Sequence, residues 1–185
     1  MADRLANAIA RLFGVVMVAL AILVTIETVA RKFFSLSLQG VDELGGYALA
    51  VTSSLAFTLA LIDRAHIRID LLHNLLPGFL QRLLNWLSIT VLAAFALLLA
   101  WTGWLALEET IEFRSTAPTP WATPLVWPQS VWFLGLLLFA VASLVALLDA
   151  TRLFFSGRNR ELARRYGPKA VEEEMDEELA DLRKR

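Results

Sequence analysis

The sequence has 185 residues, 57% of them hydrophobic, a mean hydropathy of +0.59 and a formal net charge of −1. Soluble domains are about 45–50% apolar with charges spread along the chain, so this composition, with its charges gathered at the two ends and in three short loops, excludes a water-soluble globule. The absence of cysteine excludes disulfides and thiolate metal sites, which leaves helix packing in lipid to hold a single membrane domain over residues 1–155, with a charged tail over 156–185.

Residues 2–11 read as an amphipathic lead-in, with Asp3, Arg4, Asn7 and Arg11 on one helical face. A cleaved signal peptide is not expected: the apolar run that follows exceeds the usual core of about 7–15 residues, and Ala30 leads into Arg31-Lys32 rather than a cleavage site. The first span is placed at about 12–30, with Glu27 as its one charge. A carboxylate costs about 2.5–3.5 kcal/mol at the bilayer centre and less near an end. Glu27 lies near the end, four residues before Arg31, so an interfacial ion pair facing a neighbouring helix is favoured over a proton or cation site.

The second span, at about 44–62, is opened by the acidic pair Asp42-Glu43 and runs nineteen residues from Leu44 to Ile62 without a charge. A hydrocarbon core about 30 Å thick needs roughly 20 residues at 1.5 Å of rise, so the length suffices. Acidic residues suit a helix N-terminus. Ser54 and Thr58 share a face, and small hydroxyl residues let helix backbones approach in lipid. A helix–helix contact is expected there, with a substrate path as the alternative.

Residues 63–82 form a polar hinge. On a helix from His66 to Leu76, the side chains of His66, Asp70, His73 and Asn74 fall within one arc and an apolar set fills the other, the pattern of a helix lying in the interface. Arg68 points from the apolar side and must snorkel to phosphate or meet a carboxylate. Pro77-Gly78 is expected to end that helix.

The third span, at about 83–107, carries Trp86 near one end and Trp101 and Trp104 near the other, positions that suit the two headgroup levels. The loop from Glu108 to Ser130 holds Pro118, Pro120, Pro124 and Pro128 with Trp121 and Trp127. Four prolines favour extended or turn backbone over regular helix. The tryptophans suggest a loop resting on the membrane surface or against another protein, a rigid linker being the plainer alternative. The fourth span, at about 131–148, has Trp132 as its belt residue, and Asp149 is expected to pair with Arg152. In the tail, Gly167-Pro168 is expected to start a surface helix.

Four spans put both termini on one side. That side holds Arg4, Arg11, Arg64, Arg68, Arg82, Arg152 and the arginines of the tail, whereas the other holds Arg31, Lys32 and Arg114. The Lys/Arg excess of short loops faces the cytoplasm, so the termini are expected inside and the proline–tryptophan loop outside.

The chemistry is sparse. Both histidines, His66 and His73, lie in the second loop, so no span offers an axial haem ligand. There is no glycine-rich phosphate loop and no nucleophile–His–acid spacing. Secondary carriers commonly line a midplane site with broken helices, yet these spans show no glycine–proline interruption and almost no midplane charge. The expectation is an all-α, four-span protein with no enzymatic role, no cofactor, no metal and no nucleic-acid partner.

Several stretches carry a resemblance: VARKFF (Val29–Phe34), VDELGGYALAV (Val41–Val51), LALIDRAHIRIDLL (Leu59–Leu72), the Leu76-Pro77 step and WTGW (Trp101–Trp104). In this order they resemble the small membrane (Q) subunit of tripartite ATP-independent periplasmic (TRAP) transporters, over roughly residues 12–148. The resemblance implies a four-helix subunit that pairs with a large multi-span subunit, served by a periplasmic binding protein that captures an organic acid. Uptake would be driven by an ion gradient. It implies a scaffold in a bacterial inner membrane rather than a substrate site. By the same resemblance Arg31, Glu43, His66, Arg68 and Asp70 would contact the partner or lipid. Alternatives are an autonomous proton-coupled exporter using Glu27 and a membrane anchor for a redox complex.

Overall fold

The computed structural model describes residues 2–36, 40–62 and 76–167. Its order is α1 (Ala2–Phe34), α2 (Val41–Ile62), α3 (Gly78–Phe113), α4 (Val126–Phe155) and α5 (Asn159–Tyr166). The all-α, four-span architecture expected from hydropathy is present: Phe13–Phe34, Glu43–Ile62, Gly78–Phe113 and Val126–Phe155 are each long and apolar enough to cross a bilayer. No strand occurs among the described residues, only an isolated antiparallel bridge between Thr116 and Pro124.

The helices outrun the apolar windows that announce them. α1 continues through Arg31 and Lys32 to Phe34, because basic side chains suit a last turn and Arg31 reaches back to Glu27. α3 passes the acidic residues Glu108, Glu109 and Glu112 before it stops. There Arg114 takes a positive φ of 50°, Ser115 N–H donates to the Thr110 carbonyl and Arg114 N–H to that of Ile111, the paired bonds of a Schellman cap. α4 begins at Val126 rather than near 131 and includes Pro128. Proline is tolerated in a first turn because the missing N–H has no intrahelical acceptor there. Pro118, Pro120 and Pro124 therefore remain in the loop, while Pro128 helps begin a helix.

Pro77 also opens a helix here: its carbonyl accepts from the amides of Leu80 and Gln81. The expected interfacial helix over 66–76, with His66, Arg68 and Asp70, and the expected tail helix after 167 lie outside the described residues, as does the polar face of the lead-in.

The chain divides into two compact units, Met1–Leu59 with Leu98–Phe139, and Ala60–Leu97 with Ala140–Arg185. In the first, small residues let helices approach closely. A Cβ on Gly135 would overlap Ser54, and one on Gly103 would come within 2.9 Å of Leu136. Phe57 and Phe139 pack with ring centroids 5.5 Å apart. In the second, Ile89, Ala150, Leu153 and Leu162 form a buried cluster with Trp86, Phe154 and Tyr166 against it.

Candidate functional site

Among the described residues the polar chemistry lies at helix ends, and three groupings stand out. The first is Glu27 with Arg31. Glu27 is only 2% exposed, and Oε1 accepts from Arg31 Nη2 at 2.7 Å and Nε at 3.1 Å. The spacing of four places both on one helical face. The arginine is more than half exposed, so the buried carboxylate is neutralised by a cation at the surface of the helix.

The second grouping joins the start of α2 to the proline–tryptophan loop. Glu43 is buried at 7% exposure. Its Oε1 accepts from the Tyr47 hydroxyl at 2.7 Å, and its Oε2 accepts a short hydrogen bond from Thr119. Beside it Gly40 takes φ +96°, and the Trp121 ring lies where a Cβ would be. Only glycine meets both requirements, an open backbone conformation and room for an indole. The loop is also bonded to itself: Ala117 N–H donates to the Thr123 carbonyl at 2.9 Å and Leu125 N–H to that of Ser115 at 3.0 Å. It is thus a folded cap rather than a slack connection.

The third grouping lies in the other unit. Asp149 Oδ2 accepts from Arg165 Nη1 and from the Tyr166 hydroxyl, both at 2.9 Å. The expected partner, Arg152, is displaced by residues 16 and 17 positions away, because the chain reverses after Phe155. Gly157 makes that reversal with φ +71°, and its amide and that of Arg158 donate to the carbonyls of Phe154 and Leu153. The hydrogen bond and charge of Asp149 hold the Arg165 guanidinium above its ordinary pKa. Burial, then the bond to Asp149, pushes the Tyr166 phenol up to about 12. Nearby, Arg82 lies over the rings of Phe154 (4.9 Å) and Phe79 (5.4 Å) and donates to Asn159 Oδ1 at 3.2 Å.

The remaining candidate residues divide by surroundings. Ser54 is 1% exposed against Gly135, but its hydroxyl donates to the Val51 carbonyl of its own helix at 2.9 Å. The Thr58 hydroxyl is buried without a hydrogen-bond partner among the described residues. The contact at this face is therefore one of close backbone approach, not of hydroxyls bonded across helices. Trp86 packs within its unit, donating from Nε1 to Thr151 Oγ1 at 3.0 Å and stacking on Phe154. Trp101, Trp104, Trp121 and Trp127 are exposed, and Trp132 is half-buried. His66, Arg68 and Asp70 lie outside the described residues. Among those described, no group of three or more His, Asp or Glu side chains gathers to hold a metal ion.

The groupings missed by the sequence are the Thr119 contact and the Asp149 clamp. The second had a signal, the Ser156-Gly157 step after an apolar turn, which marks a helix stop. The first had none, because Thr119 is one of many threonines and meets Glu43 only through the fold.

The chain matches the family model for tripartite ATP-independent periplasmic transporters, DctQ component, over residues 20–153. It belongs to that family. A search of curated proteins finds no match to it. As a DctQ component it is the small (Q) part of a transport system of three kinds of subunit, in a family of transporter components rather than enzymes. Its four apolar helices make it a multi-pass membrane protein. The family match takes in the Glu27–Arg31 pair, the Glu43 cap and the Ser54–Gly135 approach, and stops at Leu153, before Gly157 and α5.

Proposed function

We propose that this DctQ component is a scaffold that pairs with the large transport subunit and steadies it, within an ion-gradient-driven uptake system for organic acids fed by a periplasmic binding protein. It lies in the inner membrane with both termini in the cytoplasm and the proline–tryptophan loop outside. One observation carries the reading: the single acid set within an otherwise apolar span, Glu27, is buried and already neutralised by Arg31. A coupling or substrate site needs an ionisable group that can exchange its partner. Here the polar groups fasten helix ends instead. The helix surfaces support the same role. Only 6% of the most apolar window of α1, and 6% of that of α2, is buried within the chain, which leaves broad faces for lipid and a partner subunit.

Co-purification from native membranes tests the reading and is expected to recover a large multi-span protein. Proteoliposomes holding this chain alone should show no solute uptake, and Glu27→Gln should leave uptake by the assembled system intact apart from any loss of stability. Proton-coupled transport by the chain alone, abolished by Glu27→Gln, would instead make it an autonomous carrier.

A further inference from the structure

The last described helix is turned in an unexpected direction. The Gly157 cap reverses the chain, so α5 runs back along the final turns of α4 rather than away from them. Leu162 is fully buried against Ala150 and Leu153, and Tyr166 reaches Asp149. Asp149 lies six residues before the end of α4, about 9 Å back along the helix. α5 is therefore held beside the end of a membrane-crossing helix, at the depth where hydrocarbon gives way to headgroups.

The charge at this depth is one-sided. Between residues 149 and 166 there are five arginines and two acids. Arg165 is engaged by Asp149, and Arg158 pairs with Glu161 at 2.7 Å. Positive charge remains in excess. Arg152 and Arg160 are exposed and form no ion pair among the described residues. Phe155, between them, is 78% exposed. An open hollow of about 480 Å³ lies at the reversal, lined by Gly157, Arg158, Asn159, Arg160 and Glu161. Arg152 and Phe155 are three residues apart in the last turns of α4, and Arg160 lies in the first turn of α5; guanidinium groups and an exposed aromatic ring at headgroup depth are complementary to a phosphodiester and its acyl chains.

We infer that the end of α4 and α5 form a binding platform for anionic phospholipid, with Arg152 and Arg160 as the cations that meet the headgroup phosphate and Phe155 as an exposed ring that packs against the lipid at the interface. The inference rests on the membrane-spanning reading, and the platform extends past the region matched to the family, which ends at Leu153. The polar clamps make the platform rigid: Asp149 is spent holding α5 in place, and Arg82 holds the first turn of α5 through Asn159. A preset arrangement loses less freedom on binding than a flexible basic tail.

The test uses the full chain in nanodiscs of phosphatidylcholine containing a minor fraction of phosphatidylglycerol, with co-retained lipid counted by native mass spectrometry after release into detergent. The wild type is expected to retain phosphatidylglycerol well above its share in the disc. At about 1 kcal/mol per basic residue near an anionic surface, Arg152→Gln with Arg160→Gln should lower that retention roughly tenfold to thirtyfold. Arg152→Lys with Arg160→Lys should restore most of it. Thermal unfolding of the glutamine variant, expected to match the wild type, separates loss of the platform from loss of fold. Retention at the bulk ratio, or equal retention by the glutamine variant, would overturn the proposal. So would displacement of the lipid by inorganic phosphate, which would mark a soluble-anion site. Glu172, Glu173 and Glu174 follow in the sequence. Severalfold higher retention when all three are changed to Gln would assign the platform to the chain's own acidic segment and overturn it too. Failure to insert into discs of pure phosphatidylcholine would refute the membrane-spanning reading itself, a result distinct from insertion without lipid preference.

Discussion

The approach of α2 to α4 can be tested by adding one methyl group. In Gly135→Ala the new Cβ would overlap the Ser54 hydroxyl, stand 2.9 Å from Ser54 Cβ and 3.3 Å from the backbone nitrogen of Leu55. The hydroxyl can rotate away, but the Cβ and the backbone of α2 cannot. Ordinary contact begins near 3.4 Å, so the helices must part locally by about 0.5 Å. Overpacking of this kind costs about 1–3 kcal/mol, and the loss is concentrated where Phe57 and Phe139 pack one turn further on. Equilibrium unfolding in mixed micelles titrated with a denaturing detergent should show Gly135→Ala destabilised by about that amount. Ser54→Gly removes the Cβ that is struck, at a cost of about 0.5–1 kcal/mol for glycine within a helix. The double variant should then be no less stable than Ser54→Gly alone. A Gly135→Ala protein as stable as wild type, or a double variant whose losses simply add, would refute the close approach.

Thr119→Val keeps the shape of the loop and removes the donor to Glu43, so it should cost about 1–3 kcal/mol by leaving a buried carboxylate oxygen short of a partner; faster proteolysis within 114–125 would report the loosened cap. Gly157→Ala meets open space but keeps φ +71°, so its cost of about 1 kcal/mol is purely conformational. Gly157→Asn should recover much of it, and thermal unfolding distinguishes the two. The Tyr166 phenol ionises near 12 in the fold against an ordinary value of 10, so the folded state favours its protonated form. That stability is complete below pH 10 and is lost between pH 10 and 12. Tyr166→Phe should be less stable than wild type at neutral pH, with the difference narrowing over that alkaline window.

The spans were legible because nothing else in a sequence looks like nineteen residues from Leu44 to Ile62 without a charge. Their ends were less so. Hydropathy falls at Arg31 and at Glu108, but helical backbone continues wherever a charged side chain reaches water or a partner, as Arg31 does with Glu27. Proline misleads in one place: four prolines in one stretch argue against helix, yet Pro128 sits in a first turn, where it is compatible with one. The Glu27–Arg31 pair could be read from its spacing of four, because a helix fixes which residues meet at that separation. Glu43 with Thr119, and Asp149 with Arg165, could not, since the passage of the chain through α2 and α3 brings the first pair together and the tight Gly157 cap the second. Spacing within one helix is a local property; which helix end faces which loop is not.

The two clamps differ in what must exist before they can close. Asp149 and Tyr166 are separated by 17 residues, so the partners leave the ribosome within moments of each other. Glu43 and Thr119 are separated by 76, and the second is made only after α3 has been threaded through the bilayer. The acid at the start of α2 must therefore wait in the membrane interface for a hydroxyl still being synthesised. Closure of the cap is thus a late event in assembly: until α3 is in place, Glu43 lacks the Thr119 hydroxyl.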